Sequence, residues 1–338
     1  MHERQIGGTS PGFCESMSTI DRRTFLTGTA LALMASAARV DAAPPRRQAP
    51  GFYRYKVGTF EVTAIHDGTW QKPIDDKFVR NAPFPDVQKA IAEAFAPPNT
   101  LPIPYTSLVI NTGTKLVLID TSTGGQFQSF APATGTWQAN LAAAGIDPRR
   151  VDAILVSHFH PDHINGIKTK DNALTFPKAE IFVAAREWIY WMNDANLANA
   201  ADDVRPQFLN ARRIFKDIDK RVTQFDAGRE LVHGIIATAA FGHTPGHMAF
   251  TVASENESLL VLSDVTNNPY LFARHPDWQP IIDVDGPVAV ETRKKMLDRA
   301  AADRMLVAGY HFPFPAVGHI TRAGAGYDFV PVMWETKS

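Results

Sequence analysis

A chain of 338 residues that is 45% hydrophobic and 20% charged holds enough apolar material for one large domain or two small ones, which excludes a fibre and a disordered tail. Its formal net charge is −1 and its basic residues are scattered, so it offers no basic face for a nucleic acid or an anionic membrane. The expected partner is a small molecule of neutral or mixed charge.

The first element is a leader. Asp21-Arg22-Arg23-Thr24-Phe25-Leu26 precedes an apolar run from Phe25 to Ala38 and then the small-residue stretch Val40-Asp41-Ala42-Ala43. Residues 1–42 read as a twin-arginine-type signal peptide, which implies export to the periplasm or beyond; Met17 is an alternative start. The apolar run is about 14 residues against the roughly 20 that a helical span needs, so no stable membrane anchor is expected. The single cysteine, Cys14, falls inside this leader, so the mature chain would hold no thiol. Any metal site must then use His and carboxylate ligands, which suit zinc, manganese, iron or cobalt.

Residues 43–50 form a Pro-rich linker and residues 51–338 read as one domain. Thr59 to His66 alternates like a half-buried strand ending in a turn at Asp67-Gly68. Asp86 to Phe95 has helical spacing, stopped by Ala96-Pro97-Pro98-Asn99. Ser107 to Asn111 and Lys115 to Asp120, separated by Thr112-Gly113-Thr114, predict a β-hairpin. Trp137 to Ala144 reads as a short helix, Asp152 to Val156 and Ala179 to Ala184 as buried strands, and Arg186 to Met192 and Arg205 to Phe215 as helices. Strands return from Leu231, Leu259 to Asp264 being the clearest; Pro287 opens a helix to about Asp303, and Met305 to Ala308 reads as the last strand. Two blocks of strands, each followed by helices, predict two sheets packed face to face with helices outside.

The chemistry concentrates in Ser157 to Gly166, where His158, His160, Asp162 and His163 fall within six residues. His158 and His160 project to the same side, because side chains alternate with period two, and both can reach one cation. Pro161 then turns the chain, and Asp162 and His163 suit a second cation beside the first. His243, in the loop Phe241 to His247, can complete the first site. Asp264 ends an apolar strand, where a bare carboxylate is costly unless it meets a cation, and its oxygens can bridge both metals. His311 follows the last predicted strand and can join Asp162 and His163. Asp120 and His247 are expected to orient ligands from behind, with ordinary loop hydrogen bonding as the alternative.

The pattern HxHxDH, then GHTPGH, then Ser-Asp and a late His resembles the metallo-β-lactamase superfamily over roughly Gly51 to Pro331. The resemblance implies an α/β fold, the αββα sandwich of two mixed sheets with helices on the outer faces, and a dinuclear site at the sheet edge. More narrowly, His311 to Pro315, Gly318-His-Ile and Tyr327 to Pro331 are similar to the methyl parathion hydrolase group. That likeness implies substrate-pocket aromatics at Trp191, Phe208 and Phe127 or Phe130, and a homodimer. The chain departs from the pattern at Ser122, where Gly is usual, and between Gly124 and Thr136, where it is longer.

The expected cofactors are two divalent ions, zinc first. About 3.5–4 Å apart, they would bring a shared water toward a pKa of about 7 and supply a bridging hydroxide, with Asp162 and Asp264 as the catalytic carboxylates. The expected activity is hydrolysis of hydrophobic esters, aryl phosphotriesters or lactones. The alternatives are a mononuclear iron oxygenase on the three-His site and an acyl-homoserine-type lactonase. Related lactonases of that type carry a Tyr three residues after the bridging Asp, where this chain has Asn267. The bridging carboxylate disfavours a β-lactamase.

Overall fold

The alternating stretch that opens the domain runs on well past His66, because a bulge absorbs the Asp67-Gly68 pair that reads as a turn in the sequence. In the computed structural model, which describes residues Gln48–Glu335, strand β1 (Phe52–Val57) pairs antiparallel with the long β2 (Phe60–Pro73), and β2 with β3 (Thr100–Asn111). The proposed leader and most of the linker lie outside the described residues. At the bulge Gly68 adopts φ 124°, and a Cβ there would sit 1.9 Å from the Ala133 carbonyl oxygen. Asp67 is thereby turned inward and fully buried, where it accepts from the Trp137 amide at 2.8 Å and from the amide and hydroxyl of Thr123.

The first sheet continues through β4 (Leu116–Ile119), β5 (Ala153–Leu155), β6 (Glu180–Ala184) and β7 (Val222–Phe225), in spatial order β1 to β7. The β4–β5, β5–β6 and β6–β7 pairs are parallel, and parallel neighbours need crossovers. Helix α1 (Phe84–Glu93) lies between β2 and β3 in the chain, and α2 (Trp137–Ala143) between β4 and β5. The one-turn α3 (Pro161–Ile164) follows β5, and α4 (Ala185–Met192), α5 (Asp194–Asn199) and α6 (Arg205–Phe215) follow β6.

The second sheet also has seven strands. Strands β8 (Glu230–Val232), β9 (Ile235–Ala239), β10 (Met248–Ser254) and β11 (Glu257–Ser263) are antiparallel neighbours; helix α7 (Gly286–Ala302) then crosses to β12 (Leu306–Gly309), parallel to β11. The sheet continues past the strand expected to be its last. Hairpin β13 (Val317–Ala323) and β14 (Gly326–Pro331) adds two edge strands. Their alternation is interrupted by Gly318, whose missing side chain admits the Val330 carbonyl within 2.3 Å of where a Cβ would stand.

Packing follows from the pleat. Leu259 and Val261 of β11 join Val62, Ile110 and Phe250 between the sheets, while Leu260 and Leu262 face Met296 and Leu297 of α7. On the opposite outer face Trp137, Trp191, Phe208 and Ile214 cover Ile154 and Val183. Two mixed sheets with helices outside form the sandwich the motif implied, each fully buried Leu, Ile or Phe contributing roughly 1.5–3 kcal/mol. No helix among the described residues is long and apolar enough to cross a membrane.

The ends of β4, β5, β11 and β12 come together at one edge of the sandwich. Asp120, Ser122 and Ser263, at or just beyond two of those strand ends, hold φ of 58°, 62° and 49°, left-handed backbone that costs non-glycine residues of order 1–3 kcal/mol each. The Ser122 conformation gives a physical reason for the Gly usual there. Asp67→Ala strands the Thr123 and Trp137 amides; with roughly 1–3 kcal/mol per stranded buried donor, a loss of about 3 kcal/mol is expected in a urea midpoint. An unchanged midpoint would mean that water satisfies those groups.

Candidate metal centre

Leu155 ends β5, and the chain then runs extended through His160 before Pro161 opens α3. Phe159 drops into the outer core, fully buried, so its neighbours His158 and His160 share the other side. His158 Nε2 and His243 Nε2 each stand 2.9 Å from His160 Nδ1. Beside them, His163 Nε2 and His311 Nε2 lie 3.3 and 3.5 Å from Asp162 Oδ2. Asp264 sits between the two groups, with Oδ2 at 3.4 Å from His243 Nε2 and 2.9 Å from His311 Nε2, and Oδ1 at 3.2 Å from His163 Nε2. All seven candidate ligands from the sequence converge, and His158/His160/His243, Asp162/His163/His311 and His158/His163/Asp264 each form a group with metal-holding spacing.

The proton pattern tests whether a metal fits. His163 Nδ1 faces Asp120 Oδ2 at 2.8 Å, His243 Nδ1 faces Asp283 Oδ1 at 2.8 Å, and His311 Nδ1 faces the Pro104 carbonyl at 2.9 Å. Those oxygens only accept, so each Nδ1 carries the hydrogen, and in the neutral form each ring points a bare Nε2 lone pair inward. The inward partners are carboxylate oxygens and other ring nitrogens, which repel a lone pair unless positive charge stands between them. His163 Nε2 and Asp264 Oδ1 are buried and have no hydrogen-bond partner. An all-imidazole triad beside two imidazoles and a carboxylate, with no thiol, is a donor set that fits divalent cations such as zinc.

The electrostatics agree. Burial, then His163, His160 and His243, hold His158 well below the ordinary imidazole value, and burial and His243 do the same to His160. Burial also opposes charge on His163 and His311, but Asp264 and Asp162 outweigh it and raise both. Burial pushes Asp264 up, yet His311 and His163 draw it well below the carboxylate range. His158 and His160 reject protons while His163 and His311 attract them; a cation between the rings satisfies both.

Behind the ligands, Asp120 accepts from the Ser157 amide and hydroxyl as well as from His163, each at 2.8 Å. Ser157 Oγ, 3.0 Å from His158 Nδ1, fixes that ring in turn. His247 donates from Nδ1 to the Ala240 carbonyl and accepts the Asp264 amide on Nε2 at 3.2 Å. The two residues expected behind the ligands thus contact a ligand or its backbone.

Three supporting residues were not evident from sequence. Glu187, fully buried, accepts from the Phe159 amide, Trp191 Nε1, the Thr244 hydroxyl and the Gly246 amide, so it clips the His158–His160 loop to the His243–His247 loop. Tyr310 donates to the Asp162 carbonyl at 2.6 Å. Asp283 lies in Ile281-Ile282-Asp283-Val284, a carboxylate flanked by apolar residues, which is a weaker form of the signal that singled out Asp264.

A cleft of about 600 Å³ opens over the cluster. Phe127, Phe130 and Trp70 form one wall, with ring centroids 4.7 Å (Phe127–Phe130) and 5.3 Å (Trp70–Phe130) apart, and Ile281, Ile282 and Val284 also line it. Trp191 lines the floor, its ring 6.0 Å from His160. Phe208 does not reach the cleft: it packs behind Trp191, ring centroids 4.6 Å apart, within the outer core, because α6 turns its apolar stripe onto the sheet.

His247 also carries a pH dependence. Burial first, and His243 second, lower it from 6.5 to about 3. A group whose folded value is depressed in this way and which folds uncharged contributes stability above pH 6.5 that is lost as pH falls from 6.5 toward 3. His247→Gln is expected to flatten that part of the stability profile of metal-free protein; an unaltered slope in chemical unfolding at pH 4–7 would contradict it.

The family model of the Metallo-beta-lactamase superfamily matches residues 101–308. Among curated relatives, the uncharacterized protein YobT of Bacillus subtilis is 28% identical over 120 residues, covering 36% of this chain and 49% of that protein. The N-acyl homoserine lactonase AttM of Azorhizobium caulinodans is 30% identical over 133 residues, 37% of this chain and 44% of the relative. The chain thus spans about half the length of the curated relatives it matches. Among solved structures, the hydrolase AbOPH is 26% identical with a TM-score of 0.78, covering 86% of this chain and 100% of that one. AidC, a dizinc quorum-quenching lactonase solved with a product, is 27% identical with a TM-score of 0.79, covering 85% and 99%. With the fold, the convergent ligands and a match over more than half its length, the chain belongs to the metallo-β-lactamase superfamily.

Proposed function

We propose that this protein is a dinuclear metal-dependent hydrolase that opens ester bonds in hydrophobic small molecules, lactones foremost. The observation that carries this reading is the placement of two adjacent ligand triads, with Asp264 between them, on the floor of an aromatic-walled cleft of about 600 Å³. The likeness to AidC and AttM supports lactones, even though Asn267 stands at the position of the lactonase tyrosine.

His158, His160 and His243 would hold one cation, Asp162, His163 and His311 the other, and Asp264 both. Bound there, divalent cations polarise the scissile oxygen and acidify water to a pKa of about 7. The chain supplies the rest. Asp162, with 15% of its side chain exposed, presents the carboxylate best placed to take a proton from attacking water and return it to the leaving alkoxide. Phe127, Phe130 and Trp70 would hold an acyl or aryl group and keep bulk water off the reacting centre. Asp120, Ser157 and His247 keep the ligands aimed.

A second reading, aryl phosphotriester hydrolysis as in the methyl parathion hydrolase group, is favoured by the aromatic character of that wall. A panel of N-acyl lactones, aryl phosphotriesters, aryl esters, thioesters and a β-lactam, run on zinc- or manganese-loaded protein, tests both. The highest kcat/KM is expected for lactones with apolar acyl chains; none of the lactones and esters being hydrolysed, or one iron per chain with oxygen uptake, would sink the proposal. Asp264→Ala is expected to lower kcat/KM on the order of a thousandfold, about 4 kcal/mol of transition-state stabilisation. Phe130→Ala, at a half-exposed position, is expected to raise KM for long-chain lactones while leaving short ones unaffected; equal effects would move the acyl site elsewhere.

A further inference from the structure

Asp283 ties a candidate ligand to the far helical layer. Its Oδ1 faces His243 Nδ1 at 2.8 Å, and its Oδ2 accepts from Arg293 Nη2 at 2.9 Å, with both side chains almost wholly buried. Arg293, on α7, donates three further N–H groups to carbonyls: Val265 from Nε at 3.0 Å, and Pro276 and Trp278 from Nη1 at 3.0 and 2.8 Å. Val265 directly follows Asp264. Backbone bonds from the Val284 amide to the His243 carbonyl at 3.0 Å and from the Asp285 amide to the Gly242 carbonyl at 2.9 Å zip the two loops together.

A buried ion pair is weak evidence for stability, since well-packed apolar residues of the same volume serve as well or better. Its bonds here run to a ligand ring, to the residue after a ligand, and to the loop that leads from there to Asp283. The other triad is supported differently: His163 rests on Asp120 and His311 on the Pro104 carbonyl, and Arg293 bonds to none of these four.

We propose that Asp283 and Arg293 are positioning residues for the His158/His160/His243 half of the centre. Asp283 holds His243 in the tautomer that leaves Nε2 free. Arg293 fixes Asp283 and, through the Pro276 and Trp278 carbonyls, the loop that leads to it. This inference rests on the metal-hydrolase reading above and adds that the contact behind His243 acts on that half of the centre.

The test is titration of metal-stripped full-length protein with Co²⁺, reading ions bound per chain, the affinity of each, the ligand-field spectrum, and the unfolding temperature before metal is added. In Asp283→Asn, one ion is expected to bind ten- to a hundredfold more weakly, with its spectrum altered, while the other keeps its affinity. Arg293→Lys, which keeps the charge and loses the fork, is expected to give a smaller change of the same kind. Asp283→Asn combined with Arg293→Met removes both charges, so a fold upset by one unpaired charge is separated from a lost positioning contact; the same one-sided weakening is expected. Two unchanged affinities, or two that fall together in the double variant, overturn the proposal and leave the pair a packing feature. Wild-type protein that binds a single ion sinks the dinuclear reading alone, because the effect of Asp283→Asn on that ion still decides the positioning role. Wild-type protein that binds none overturns both.

Discussion

A repulsion organises this molecule. With Nδ1 held as the donor, the neutral rings turn their Nε2 lone pairs toward carboxylate oxygens and toward one another at 2.9–3.5 Å in an almost wholly buried cluster. Such a cluster is uphill when empty of charge, and the surrounding chain is built to keep it from relaxing. Strained φ values at Asp120 and Ser263 hold two carboxylates at the ends of their strands, and acceptor oxygens behind three of the rings prevent those rings from flipping to a more comfortable tautomer. The fold stores the mismatch that a cation then relieves.

Support for the cluster is layered. Asp120 and Ser157 belong to the first sheet, whereas Asp283 and Arg293 belong to the region that crosses the second, and Glu187 joins loops from both. Gly246 shows how closely those loops approach: a Cβ there would stand 2.2 Å from the Glu187 amide nitrogen. At that spacing the Glu187 carboxylate reaches backbone donors on either side of the sandwich mouth. A longer residue at 246 would wedge the two ligand loops apart.

The clustering of the seven candidate ligands was legible in the sequence because four lie within six residues and the other three follow apolar strands, where an isolated His or Asp has few alternative explanations. The sandwich was legible for the same reason, since strand runs and helical spacing fell in separate blocks, and Arg205–Phe215 matches its sequence reading end to end. What stayed hidden depended on partners distant in the chain. Asp67 reads as a turn residue until Trp137, 70 positions away, is seen to donate to it. Glu187 sits in an amphipathic helix where a carboxylate looks solvated, and its partners at 159 and 246 are visible only once the sheets have met. Phe208 shares its helical spacing with core residues, and periodicity cannot tell the back of a wall from its face. The edge hairpin at Val317–Pro331 was obscured by Gly318 and Arg322, residues that suit an exposed strand and weaken its apolar alternation.

The ligand loops do not all come from one sheet. His158, His160, Asp162 and His163 follow β5, whereas His243, Asp264 and His311 follow β9, β11 and β12. Near the mouth the Met248 amide bonds to the Ser157 carbonyl at 2.9 Å across the gap between the sheets. An ion seated among these residues is therefore a rivet through both plates of the sandwich. Its removal would loosen the seam along which the halves meet, so that chelation and prying the layers apart become the same mechanical event.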